Sequence, residues 1–131
     1  MNTPAFHAGE RALQARAGSL ERLAEVGARV IRPAMPDQHR AFFAQLPFIV
    51  TGSVDGAGQP WASVLAGPPG FVTAPAPNQL HIDARPAAGD PLAEALAIGA
   101  RIGLLGIEPH TRRRNRANGR IATLGDGGFD V

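Results

Sequence analysis

The sequence contains no cysteine, no lysine and no tyrosine, and a single tryptophan among its 131 residues. The absence of cysteine excludes disulfide bonds, thiolate metal ligands and cysteine nucleophiles. No run approaches the roughly 20 apolar residues that a membrane-spanning helix needs, and the N-terminal residues lack the apolar stretch of a signal peptide. Together with the length, these absences predict one soluble, cytoplasmic domain.

All 13 basic residues are therefore arginine, and their distribution is uneven. Outside one short segment the chain has 8 arginines against 11 acidic residues, which leaves three net negative charges. Proteins that coat nucleic acid distribute their cations over a face or a tail. The other five arginines lie together, with no acidic residue among them, at Arg112, Arg113, Arg114, Arg116 and Arg120.

This arginine segment suits a phosphate monoester. A guanidinium group donates two parallel hydrogen bonds to phosphate oxygens and keeps its charge at any physiological pH. Asn115 and Asn118 add neutral donors. Two alternatives stay open: a solvated loop with no ligand, and contact with nucleic acid. The second is less favoured because the segment has no aromatic side chain on which bases could stack.

Hydrophobic periodicity divides the chain into a helical start and a strand-rich remainder. Leucine and valine spacing predicts an amphipathic helix or helical pair over 10–30, and Pro36 to Leu46 predicts a helix that Pro47 ends. A third helix is expected to begin at Asp90 and end at Gly99. Strands are predicted at 48–54, 61–65, 71–73, 80–83, 101–108 and 119–124. The pattern indicates a small antiparallel barrel over 36–124, preceded by a helical segment at 1–35 and followed by a tail at 125–131.

Residues for direct catalysis are few. The four histidines, His7, His39, His81 and His110, have no metal-ligand spacing, so no metal site is predicted. Ser53 and Ser63 lie outside any nucleophile-elbow pattern. Trp61 is either a core residue or a ligand contact, and the loop from Gly67 to Gly70 either brings backbone amides to a ring or is a rigid turn. Any reaction would therefore depend on a bound cofactor.

Several motifs, in this order, resemble the FMN-binding split barrels related to pyridoxamine 5′-phosphate oxidase. The likeness covers the helix from Pro36, the hairpin with the Asp55-x-x-Gly58-x-Pro60 turn, the strand at 104–107, and Arg116-x-Asn118-Gly119-Arg120 entering the next strand. The segment from Phe6 to Glu10 is similar to the start of a branch in which some members carry a C-terminal iron–sulfur domain. No cysteine for such a cluster is present.

The resemblance implies a mainly β fold with flanking helices, a six-stranded antiparallel split barrel that forms a homodimer. FMN would lie between the subunits, and the chain would act as an oxidoreductase of unknown substrate and electron partner. By position, the cofactor-binding residues would be Trp61, Ala62, Ser63, Val64, Leu65, Gly67, Gly70, Phe71, Asp90, Pro91, Leu92, Arg112, Arg114, Arg116 and Asn118.

Two departures from the family pattern limit what it implies. Asp90, Pro91 and Leu92 stand where the oxidases have serine and lysine contacts to phosphate, which transfers that role to the arginines. The substrate-binding C-terminal elements of the oxidases have no counterpart, so vitamin B6 oxidation is not expected. Because the chain stops soon after the sixth predicted strand, we expect a fragment or a shortened chain. The alternatives to an oxidoreductase are a non-catalytic flavin carrier or sensor and an arginine-loop nucleic-acid adaptor.

Overall fold

A computed structural model describes residues 5–131; residues 1–4, the beginning of the predicted helical segment, lie outside the described residues. The chain divides into two compact units, Met1–Ala34 and Met35–Val131. None of the helices in the described part is long and apolar enough to cross a membrane.

The first unit is a pair of helices, α1 (Ala8–Arg16) and α2 (Leu20–Val30). His7 begins α1 with a capping box, in which its Nδ1 accepts from the Gly9 and Glu10 amides while the Glu10 carboxylate accepts from the His7 amide. Gly18 separates the helices with a left-handed φ of 65°, a conformation that glycine adopts without steric cost. The motif from Phe6 to Glu10 thus has a local structural role as a helix start.

The second unit is mainly β, with two four-stranded antiparallel sheets and two short helices. In the described residues the sheets do not form a closed barrel. One sheet has the order β2-β1-β5-β6 and the other β3-β4-β8-β7. The elements are α3 (Asp37–Ala44), β1 (Phe48–Val54), β2 (Pro60–Ala66), β3 (Val72–Ala76), β4 (Gln79–Ile82), α4 (Leu92–Ala95), β5 (Arg101–Glu108), β6 (Arg113–Arg120), β7 (Thr123–Leu124) and β8 (Phe129–Asp130).

The core of this unit lies between the two sheets, and alternation along the strands places it there. The inward positions of β1, β2 and β5 are buried while their neighbours are exposed or half-buried. Two helices add Phe42, Phe43 and Leu92 to the core. The remaining core residues come mostly from the strands of both sheets: Leu46, Ile49, Leu65, Phe71, Val72, Leu80, Ile82, Ile102, Leu104, Ile121 and Phe129.

The structure differs from the sequence-based expectation in three elements. The arginine segment is not a loop: Arg113 to Arg120 form β6, which pairs with all eight residues of β5 and so satisfies its backbone. The expected tail contains β8, which pairs with β4 and β7. The helix predicted from Asp90 to Gly99 is a single turn, Leu92–Ala95.

Candidate functional site

The outward side of the β2-β1-β5-β6 sheet, called here the open face, combines apolar residues with arginine. Its central strands present Val50 and Leu105, both half-buried, and the end of β1 presents Val54, which is 58% exposed. The edge strand β6 turns alternate residues to this face because strand side chains alternate with period two. The outward residues of β6 are Arg114, Arg116, Asn118 and Arg120.

One row across the open face is nearly free of side chains. The strand register places Ala62, Gly52, Gly103 and Asn118 side by side on the four strands. A Cβ built on Gly52 would have no neighbouring atom within 4 Å, so the space above this glycine is open. Glycine inside a strand commonly marks a place where a ligand or another backbone approaches closely. This bare row is the floor of the candidate site.

Two depressions flank the bare row and share Gly52, Gly103 and Asn118. The larger has a volume of 660 Å³ and lies where β1 ends and β5 begins, between Trp61 and Arg120. The smaller, of 220 Å³, lies beside Arg116 over Val50 and Leu105. Small-molecule sites usually occupy about 300–1,000 Å³. The larger depression lies within this range, and the bare row connects it to the smaller depression.

Within residues 5–131, the arginines of the open face have no carboxylate partners. The ion pairs of this part of the chain that contain arginine use Arg29, Arg40 and Arg85, and none uses Arg101 or an arginine of β6. Their neighbours across the strand pair are Leu105 for Arg116 and Ile107 for Arg114, which leaves these charges beside apolar surface. Such guanidinium groups are free to bind an anion.

Five of the predicted cofactor residues meet on this face. Ala62 and the 57%-exposed Val64 project from β2. Arg114, Arg116 and Asn118 project from β6, on the opposite edge of the sheet. The two sets lie on one surface because β1 and β5 pair with each other between them.

Other predicted residues lie elsewhere in the second unit. Leu65, Phe71 and Leu92 are core side chains with at most 4% exposure. A Cβ on Gly67 would lie 2.7 Å from Phe71 Cγ, so this loop is packed against the core side chain of Phe71. Gly70 has a left-handed φ of 99° in the same loop, and Arg112 has a φ of 58° in the turn before β6.

The predicted residues around Asp90 form a partly buried contact. Ser63 Oγ donates to Asp90 Oδ1 at 2.6 Å, and the same oxygen accepts from the Leu92 amide at 2.8 Å. Pro91 lies between them and leads into α4. The Asp90 carboxylate therefore joins β2 to this helical turn, which is a structural role, and its negative charge opposes phosphate at this position.

Several residues of the site were not predicted from the sequence. Gly52 and Gly103 form the centre of the bare row, and Arg101 and Arg120 border the larger depression. The glycines within the Arg101–Glu108 strand are a partial signal in the sequence, since glycine inside a strand allows close approach to the backbone. Their alignment with Gly52 depends on strand register, which spacing within one strand does not encode.

Trp61 is held at the hairpin end by Asp55. Its indole Nε1 donates to Asp55 Oδ2 at 2.9 Å, and Asp55 Oδ1 accepts from the Ala57 and Gln59 amides, also at 2.9 Å. The Trp61 hydrogen bond, followed by those from the backbone amides, holds the pKa of Asp55 below its ordinary value. The carboxylate thereby fixes both the turn and an edge of the larger depression.

We expect this hydrogen-bonded carboxylate to contribute acid-dependent stability. Because the folded pKa of Asp55 is lowered, its contribution is present above the unfolded value of about 3.9 and is lost as pH falls through the folded pKa. Asp55→Asn should reduce the loss of thermal stability between about pH 4 and pH 2 and increase solvent quenching of Trp61 fluorescence. Asp126→Asn, which removes an exposed carboxylate, is the control. An unchanged acid transition in Asp55→Asn would contradict this role.

A second pair of titratable groups lies on the other sheet. His81 Nδ1 is 2.7 Å from Asp130 Oδ1 across the β4–β8 pair. Hydrogen bonds from Thr123 and then His81 lower the pKa of Asp130. Among the described residues, no group of three or more His, Asp and Glu side chains could hold a metal ion.

Comparison with known proteins gives no match to this chain among family models, curated proteins or solved structures.

Proposed function

We propose that this chain is an FMN-binding flavoprotein of the type related to pyridoxamine 5′-phosphate oxidase, with oxidoreductase activity on an unknown substrate. The bare row on the open face is the observation that carries the proposal. Two glycines side by side on neighbouring strands, with apolar residues along one side, leave a strip that suits a planar aromatic ring. The arginines at the edge of the same strip, which form no ion pair among the described residues, suit a phosphate monoester.

The residues present fit the two ends of FMN. Gly52 and Gly103 would lie under the ring, where backbone groups come close; a Cβ on Gly52 would have no neighbour within 4 Å, and one on Gly103 would meet the Asn118 amide oxygen at 3.3 Å. Arg114, Arg116 and Asn118 would hold the phosphate with charge-assisted hydrogen bonds. Val50 and Leu105 would exclude water beside the smaller depression. FMN would supply the electron transfer when bound, and the chain's own residues would bind and orient it.

The two four-stranded sheets around one core are compatible with a split barrel, and a six-stranded antiparallel split barrel is the fold that we propose. The open face also exposes Val54 and Val64 on a broad apolar surface. Exposed apolar surface of this kind commonly marks an interaction site. A second copy of the chain would cover it and enclose FMN, so the proposed active form is a homodimer with the cofactor between subunits.

A non-catalytic flavin carrier or sensor would use the same cradle. Reduction of the bound flavin by NAD(P)H and reoxidation by an acceptor would favour an enzyme over a carrier.

The outward arginines of β6, Arg114, Arg116 and Arg120, support a second candidate function, contact with single-stranded nucleic acid. That candidate predicts RNA binding that weakens steeply with salt and a protein that retains no flavin.

The test of the proposal is an FMN titration that compares the native chain with Gly52→Leu. The native protein should quench flavin fluorescence saturably, with one FMN per subunit and a dimer by light scattering. Gly52→Leu fills the open space above the bare row and should weaken FMN binding at least about tenfold. As a surface change it should alter stability by about 0.5 kcal/mol or less, which corresponds to about 4 °C or less in unfolding temperature.

Gly56→Leu is the matched control. Gly56 lies in the β1–β2 turn, away from the bare row, and a Cβ there also has no neighbour within 4 Å. FMN affinity should be unchanged in this variant. Equal FMN affinity in Gly52→Leu and the native chain would place the flavin elsewhere, and no binding by the native chain would reject the proposal.

A further inference from the structure

Arg101 and Arg120 form a pair of like charges at one end of the open face. They are opposite each other in the β5–β6 register, and both side chains are exposed. Like charges directly opposite on antiparallel strands repel each other and destabilise the pair. Neither forms an ion pair with any carboxylate of residues 5–131. An anion bound between them would remove this repulsion.

The surroundings of this pair are shaped to admit such an anion. Both arginines line the 660 Å³ depression, whose lining contains Asn118 but no acidic residue. Arg120 Nη1 donates to the Gly99 carbonyl at 3.0 Å, which orients the guanidinium group and leaves its charge uncompensated. The carboxylate of Asp55, beside Val54 in the chain, is engaged by Trp61 and the turn amides.

We infer that this end of the open face is a separate oxyanion site that binds the phosphate or carboxylate group of a second small molecule. Arg101 and Arg120 are its charged ligands. Arg120 is four residues from Arg116 on one strand, or about 13 Å between their Cα atoms. The site is thus distinct from the proposed position of the FMN phosphate, and its anion affinity does not depend on flavin binding.

The test is an NMR titration of the ¹⁵N-labelled full chain with inorganic phosphate and, separately, with succinate. Saturable shifts are expected at the Nε–H signals of Arg101 and Arg120. Arg101→Gln combined with Arg120→Gln should weaken the binding at least about tenfold. Arg11→Gln with Arg22→Gln removes the same charge from exposed helix positions and should change the anion affinity less than about twofold. Preference for phosphate or for succinate identifies the ligand's anionic group.

Anion binding that is equal in the native chain and the arginine double variant would overturn the inference, as would no saturable binding by the native chain.

FMN provides the last discriminating measurement. The proposal requires phosphate to remain bound at Arg101 and Arg120 in the presence of saturating FMN. If phosphate and FMN compete, and if the Arg101→Gln, Arg120→Gln variant loses FMN affinity, then Arg101 and Arg120 bind the phosphate of the flavin itself. That result would overturn the inference of a separate site. A chain that binds phosphate here but no FMN would retain this inference and reject only the proposed function.

Discussion

Replacement of Arg114 and Arg116 by glutamine is expected to weaken FMN binding by about 100-fold or more. Hydrogen bonds between charged groups contribute about 1.5–3 kcal/mol each, and every 1.4 kcal/mol is a factor of ten in affinity. Both side chains are exposed on the outward side of β6 and pair with no carboxylate of the described residues, so their removal breaks no ion pair. Thermal unfolding should therefore be nearly unchanged, and fluorescence titration measures the affinity.

Riboflavin makes this experiment specific for phosphate. It has the same ring and no phosphate, so the double variant should bind riboflavin as the native chain does. The affinity of the variant for FMN should fall toward that for riboflavin. Arg11→Gln with Arg22→Gln controls for net charge. An equal loss for both flavins would show that the arginines do not act through the phosphate, and an unchanged FMN affinity would move the phosphate site elsewhere.

Gly106→Val is expected to produce the largest loss of stability. Gly106 faces the core from β5, and a Cβ there would lie 2.7 Å from Leu46 Cδ1, 2.9 Å from Phe42 Cε1 and 3.1 Å from Phe43 Cε1. These three side chains are each about 1% exposed, so they can move only against other atoms of a close-packed core. Overpacking of this kind costs about 1–3 kcal/mol, and the two additional methyl groups of valine favour the upper end.

The corresponding decrease in unfolding temperature is roughly 10–20 °C for a unit of this size, measured by circular dichroism without ligand. Gly103→Val is the matched control on the same strand, because Gly103 faces outward and its nearest neighbour is the exposed Asn118 amide oxygen at 3.3 Å. It should retain stability and lose FMN binding. A stable Gly106→Val protein would contradict the packing of α3 on β5.

Local sequence patterns predicted the elements whose signals lie within a few residues of each other. The helix ended by Pro47, the β1–β2 hairpin at Asp55 and the strand from Arg101 to Glu108 follow from periodicity and turn chemistry. The arginine segment was mistaken for a loop because its strand has no apolar alternation. Pairing with β5, and not the propensity of its own residues, makes it a strand.

The predicted cofactor-binding residues divide along the same line. Ala62 and Val64 on β2 and the arginines Arg114 and Arg116 on β6 reach the open face. Leu65 and Phe71 point into the core instead, since neighbours along a strand face opposite sides and the loop after β2 folds inward. Assignment by position in the chain could not separate the two groups.

The sequence by itself determined the clustering of positive charge at residues 112–120, the absence of thiol chemistry and the strand-rich second unit, because these depend on composition and local pattern. Only the tertiary structure decided that Gly52 lies beside Gly103 and that Arg101 lies opposite Arg120. These residues are about 20 to 50 positions apart in the chain, and backbone hydrogen bonding between strands sets their register. The candidate site is a product of that register, which explains why its floor was the part that the sequence did not predict.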